Sequence, residues 1–288
     1  MVLEFRLDDP TPADPRRRWA SLDQEARDAC YDNTRAVVDS ARQVADRDAA
    51  SAAYRAAHPA GLDLPYGPGP RNAVDLYPAR DGAAPCLVFL HGGYWQRGAR
   101  ELFACFAQGP NAAGWSVAMV GYTLAPEASL TRIVAEIGTA LDWIAAQGPA
   151  RGIRGPLVLS GWSAGGLLTA MQLGHPAVAA GLAISGVYDL APIRQTYLDA
   201  KLSLTDTEVE ILSPLRLPVV GKPMCIAYGT CELPALIHDA RNLHALRAAA
   251  HAPGPLLPVP GTEHFSVLGA LRRPDGILVR AAHALLGG

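Results

Sequence analysis

The chain reads as an α/β protein in which a mostly parallel central sheet carries helices on both faces. Two patterns point there: short continuous apolar runs of strand length, and helix-length stretches between them. A length of 288 residues, half hydrophobic and 18% charged, suffices for one large core.

Residues from about 17 to 57 are rich in Ala and Arg with few breakers, and two helices are expected, near 21–31 and 33–57. This N-terminal extension (1–60) reads as a lid, an oligomer arm or a packed extension, so a homo-oligomer stays open. LDLPYG and NAVDLY flank Pro-Gly-Pro and predict a strand pair. Strands follow at 86–90, 115–121, 156–160, 180–185, 223–229 and 256–260. Helices are expected at about 99–113, 129–147, 164–174, 234–251 and 275–286. The interval 186–222 lacks a clean strand, which suits a cap or insertion. No repeat or low-complexity linker interrupts residues 1–288, and a single domain is expected.

Twenty-five basic and 27 acidic residues give a formal charge of −2, and no basic stripe invites nucleic acid. The opening MVLEFRLDDPTPADPRRRW lacks the apolar core of a signal peptide, and no run approaches the ~18 apolar residues of a membrane span. A soluble, cytoplasmic protein without a membrane partner is expected. Five cysteines (Cys30, Cys86, Cys105, Cys225, Cys231) form no CxxC pair, which argues against a disulfide framework; Cys86 and Cys225 read as buried strand residues. The one Gly-x-Gly, at 67–69, is interrupted by prolines and opens no helix, so a dinucleotide turn is not formed there.

Residues 161–165, Gly-Trp-Ser-Ala-Gly, match G-x-S-x-G between a predicted strand and a predicted helix. That strand–turn–helix setting presents a nucleophilic serine, here Ser163, on a strained turn. Gly161 and Gly165 remove side chains that would collide at its flanks. His91-Gly-Gly-Tyr-Trp95 follows an earlier strand, where backbone amides of such a loop face the nucleophile. Gly93, Tyr94 and Ala164 are the expected oxyanion donors, and His91 is read as a brace for the loop.

Of eight histidines, His264 lies just after the last predicted strand, where the order Ser, acid, His is completed. His238, His244 and His251 are assigned to one helix surface. No HExxH or metal-ligand cluster appears, and neither metal nor cofactor is called for. The acid should follow the strand at 223–229. Glu232 is the first carboxylate there, with Asp239 the runner-up and Glu263 too close in sequence to His264 to pair well. Trp95, Trp162 and Tyr188 flank these motifs and are candidate substrate-binding residues, with core packing the alternative.

HGGYW (91–95), GYTLAPE (121–127), GWSAGG (161–166), SGVYDL (185–190), LSPL (212–215) and EHFSVL (263–268) together resemble the arylformamidase-like (kynurenine formamidase-like) branch of the α/β-hydrolases over most of residues 60–288. The resemblance implies an α/β-hydrolase fold and a serine hydrolase that cleaves N-formylkynurenine or short activated esters. By motif it carries the triad to Ser163, Glu232 and His264, with HGGYW as oxyanion loop. Two stretches depart from the family pattern. Leu167 stands where relatives often have histidine, and GTCELPAL (229–236) replaces an acidic residue followed by Ser-Pro-Glu-Phe. A short-chain carboxylesterase and a catalytically silent binding protein of the same fold are the competing readings.

Overall fold

The computed structural model describes residues 19–287; the Pro-rich opening segment, 1–18, lies outside the described residues. Eight strands form one sheet: β1 (Leu64–Pro65), β2 (Ala73–Tyr77), β3 (Cys86–Leu90), β4 (Ser116–Val120), β5 (Leu157–Trp162), β6 (Val178–Ile184), β7 (Met224–Gly229) and β8 (Leu256–Val259). Their order is β1-β2-β4-β3-β5-β6-β7-β8. β1 and β2 pair antiparallel, as does β2 with β4, and every later pairing is parallel. The predicted strand pair at 62–77 is therefore the antiparallel edge of the sheet.

Alternation along β3 shows why helices cover both faces. Val88 and Leu90 pack with Ile133, Ile137 and Leu167, whereas Leu87 and Phe89 pack with Phe103 and Leu278. A strand buried on both sides has no polar face to offer water, hence the unbroken apolar run. The long covering helices lie where the periodicity put them: Leu130–Gln147, Ala164–Gln172, Pro234–Ala249 and Ile277–Ala284. The first is capped by Ser129, whose side chain accepts from the Arg132 amide, and the third opens on a proline, which suits a first helical turn.

Three local expectations are corrected. The helix foreseen at 33–57 is divided into Asn33–Ala36 and Ser40–Ala57, because the β-branched pair Val37-Val38 interrupts it. Val37 is extended at φ −109°. Residues 100–107 form a 3₁₀ stretch that passes into a short helix, Gln108–Ala112. Pro110 lacks an amide and crowds the carbonyl four residues back, so a regular α-helix cannot run through Phe106. His251 lies beyond the helix that ends at Ala249, at φ +52°. The interval 186–222 holds short helices, Leu190–Ile193, Asp199–Leu202 and Asp206–Ile211. Among the described residues no helix is long and apolar enough to cross a membrane.

The sheet's register sets the site. Leu90 lies beside Gly161, Trp162 beside Ile184, Ile184 beside Ala227, and Gly229 beside Val259. The loops leaving β3, β5, β6, β7 and β8 therefore emerge side by side at one edge. Strand order reverses around β3, and such a switch point is where open parallel sheets place their chemistry.

Candidate active site

Ser163 occupies the turn between β5 and the helix Ala164–Gln172 at φ +58°, ψ −118°. A positive φ with this ψ is a sparsely populated conformation for a residue with a side chain, costing about 1–3 kcal/mol, and the close packing around the turn enforces it. A methyl group on Gly161 would meet the Gly165 carbonyl at 2.1 Å, and one on Gly165 would meet the Leu90 carbonyl at 2.1 Å. Although Ser163 stands at the N-cap position, its side chain makes no capping bond. The hydroxyl is thus left for another partner.

That partner is His264. Its Nε2 lies 3.0 Å from Ser163 Oγ, and its Nδ1 lies 3.0 Å from Glu232 Oε2. All three residues are buried. Ordinary geometry requires the serine hydroxyl to donate to Nε2 while Nδ1–H donates to the carboxylate. Glu232 is held by its other oxygen, which accepts from Ser185 Oγ at 2.5 Å and from the Gly229 amide at 2.7 Å. Trp162 holds the His264 loop: its indole N–H donates to the His264 carbonyl at 2.8 Å, and the rings lie 4.7 Å apart.

The other two carboxylates considered from the sequence lie elsewhere. Asp239 accepts from the amides of Tyr188 and Asp189. Burial outweighs those two donors and pushes its carboxyl up to about 7. Glu263 accepts from the Phe265 and Ser266 amides and from Gln43, so it shapes the loop on which His264 sits. Of the remaining histidines, His238 and His251 are exposed and His244 is half-buried.

Gly93, Tyr94 and Trp95 all have positive φ, at +115°, +49° and +57°. Among the described residues the amides of Gly93, Tyr94 and Ala164 find no acceptor. His91 lies beneath, stacked 4.2 Å from Tyr122, with Nδ1 2.8 Å from the Gly92 carbonyl. Burial depresses its imidazole to about 3, so the ring is neutral at ordinary pH. It acts as a spacer under the loop.

The three aromatics expected at the pocket are buried. Trp95 and Tyr188 are fully enclosed, and Trp162 is 4% exposed. Trp95 N–H donates to the Ala164 carbonyl at 3.1 Å, tying the 91–95 loop to the start of the helix that follows Ser163. Trp95 and Tyr188, with no accessible surface, pack beneath the site, whereas Trp162 is no more enclosed than Ser163 and lies against the His264 ring. Leu167, the departure from the family pattern, is likewise buried in the core.

Two further contributors carry little signal in the sequence. Ser185 falls within SGVYDL, but a serine at a strand end carries no signal of its own until β6 pairs with β7. The other is the segment between the first helices. Tyr31 and Asn33 reach Tyr94: the phenol donates to the Tyr31 carbonyl at 2.7 Å and accepts from Asn33 Nδ2 at 3.1 Å.

A family model described as alpha/beta hydrolase fold matches residues 87–251. A kynurenine formamidase of Salmo salar is 27% identical over 243 residues, covering 78% of this chain and 82% of its own. An esterase of Mycobacterium tuberculosis is 26% identical over 242 residues, covering 72% and 60% respectively. Among solved structures, a provisionally assigned thioesterase from Silicibacter sp. superposes with a TM-score of 0.78 at 28% identity, covering 89% of this chain and 98% of that one.

Proposed function

Starting from a chain that belongs to the alpha/beta hydrolase family, we propose that it is a serine hydrolase of small aryl formamides, with Ser163 as nucleophile, His264 as base and Glu232 as acid. The observation that carries this reading is the continuous relay from Ser163 Oγ through both ring nitrogens of His264 to Glu232, each step 3.0 Å. The formamide preference is supported by the likeness to kynurenine formamidase, which spans most of both chains.

In this mechanism His264 Nε2 takes the hydroxyl proton as Ser163 Oγ attacks the formyl carbon. The amides of Gly93, Tyr94 and Ala164 donate to the oxygen that becomes negative, in a site shielded from water. His264 returns the proton to the departing aryl nitrogen, the C–N bond breaks, and a formyl ester on Ser163 remains. Water, deprotonated by His264, then releases formate. Glu232 keeps the imidazole in the required tautomer and stabilises its protonated form. The substrate is a small molecule, and the chemistry needs no group beyond these side chains and amides.

A short-chain carboxylesterase is the second reading, favoured by the esterase relative. The two part on kcat/KM for N-formylkynurenine against p-nitrophenyl acetate. A preference for the ester by orders of magnitude would overturn the formamidase assignment. Labelling with a fluorophosphonate tests the enzyme class itself: wild-type protein is expected to label and Ser163→Ala to remain unlabelled. Folded wild-type protein that stays unlabelled would point to a binding protein.

A further inference from the structure

We infer that Asn33, with the Tyr31 carbonyl, is a positioning element for the oxyanion loop, acting through the phenol of Tyr94; the inference rests on the serine hydrolase reading above. The need for such an element is local. Gly93, Tyr94 and Trp95 are three successive residues at positive φ, two of them bearing large side chains. Backbone of this kind persists only where its surroundings over-determine it. A loop that relaxed toward ordinary φ would swing its amides away from the reacting oxygen.

Two side chains hold the loop. Trp95 is tied to the Ala164 carbonyl, which fixes one end to the helix that follows Ser163. Tyr94 is tied outward, to Tyr31 and Asn33. Tyr94 is 3% and Asn33 4% exposed, so water does not compete for these bonds. The segment that supplies them is itself fixed to the body of the protein. Gln43 donates to Glu263 at 3.0 Å beside His264, Ser51 donates to the Leu102 carbonyl at 3.0 Å, and the Tyr197 amide donates to Asp28 at 2.8 Å. The N-terminal helices thereby reach the loop of the proposed base as well as the oxyanion loop. The phenol is where that rigid segment meets the backbone that must stay strained.

The test uses Tyr94→Phe, which keeps the ring and removes both bonds, and Asn33→Leu, which removes one. Asn33 Oδ1 has no hydrogen-bond partner among the described residues, so an apolar side chain of similar size removes that unmet acceptor and takes away only the Nδ2 donor to the phenol. Three quantities are read on full-length protein: kcat and KM for the preferred substrate, the second-order rate of fluorophosphonate labelling, and Tm. A displaced oxyanion donor should lower kcat and the labelling rate together, by about tenfold for Tyr94→Phe and less for Asn33→Leu. KM should hardly change, and the double variant should match Tyr94→Phe alone, since both changes cut the same link. A folded Tyr94→Phe protein with wild-type labelling, or effects that multiply in the double variant, would overturn the inference while leaving the hydrolase reading intact. If wild-type protein does not label, or Ser163→Ala labels equally, the hydrolase reading fails and this inference falls with it.

Discussion

Ser185 Oγ donates to Glu232 Oε1 across 2.5 Å, linking the end of β6 to the turn after β7. The Gly229 amide reaches the same oxygen at 2.7 Å. Two donors thus occupy one carboxylate oxygen and leave the other facing His264. Hydrogen bonds to a buried charge are among the stronger ones, about 1.5–3 kcal/mol. Ser185→Ala is therefore expected to lower kcat by about tenfold with KM little changed, because Glu232 gains freedom to turn away from the imidazole. Unaltered steady-state kinetics in that variant would mean that Gly229 alone holds the carboxylate.

The same arrangement makes Glu232→Gln informative. Its amide oxygen is claimed by the donors Ser185 and Gly229, so its NH₂ must face His264 Nδ1. Nδ1 would then accept, the ring proton would move to Nε2, and the imidazole could no longer take the Ser163 proton. Loss of about 10³–10⁴ in kcat is expected, with folding and fluorophosphonate accessibility checked separately. Activity within tenfold of wild type would remove Glu232 from its proposed role.

Much of this architecture is legible in the sequence because parallel strands covered on both faces must be continuously apolar. The runs at 86–90, 156–160 and 223–229 announce themselves, and G-x-S-x-G after such a run identifies its own turn. Glu232 and His264 are found by position, as the first suitable groups after β7 and β8. What stays hidden depends on partners distant in the chain. Nothing near Tyr31 or Asn33 indicates that they meet Tyr94, about 60 residues on. The burial of Trp95, Trp162 and Tyr188 is hidden for a similar reason: an aromatic beside a catalytic motif reads equally well as pocket wall or as core. The split of the second helix and the 3₁₀ stretch at 100–107 were readable from Val37-Val38 and Pro110, but helix propensity summed over a long window conceals single breakers.

A buried ion cluster joins the N-terminal helices to the sheet. Asp75 on β2 is fully buried and pairs with Arg55 from the helix Ser40–Ala57 and with Arg100, while Asp63 bridges the same two guanidinium groups. Asp75→Asn leaves the largely buried Arg100 with less compensation, a loss of about 3 kcal/mol by analogy with broken buried pairs. For a chain of this size that corresponds to a fall in Tm of roughly 6–12 °C, measurable by thermal unfolding. A shift within about 2 °C would show that Asp63 and Glu101, which also pair with Arg100, suffice.

Asp239 should give the protein a pH dependence of stability opposite in sign to that of a salt-bridged carboxylate. Burial raises its carboxyl from 3.8 to about 7, so between those values the folded chain binds a proton that the unfolded chain releases. Stability from this group therefore falls as pH rises through the window and is spent above about 7. Above it, an ionised Asp239 is held by the Tyr188 and Asp189 amides, faces the like charge of Asp189, and has no cation among its hydrogen-bond partners in the described residues. Asp239→Asn keeps an acceptor for those amides and removes the charge. Urea unfolding at pH 5 and pH 8 is expected to show the wild type losing more stability between the two than the variant does. Equal losses would mean that Asp239 is already ionised at the lower pH, and that the two amides outweigh its burial.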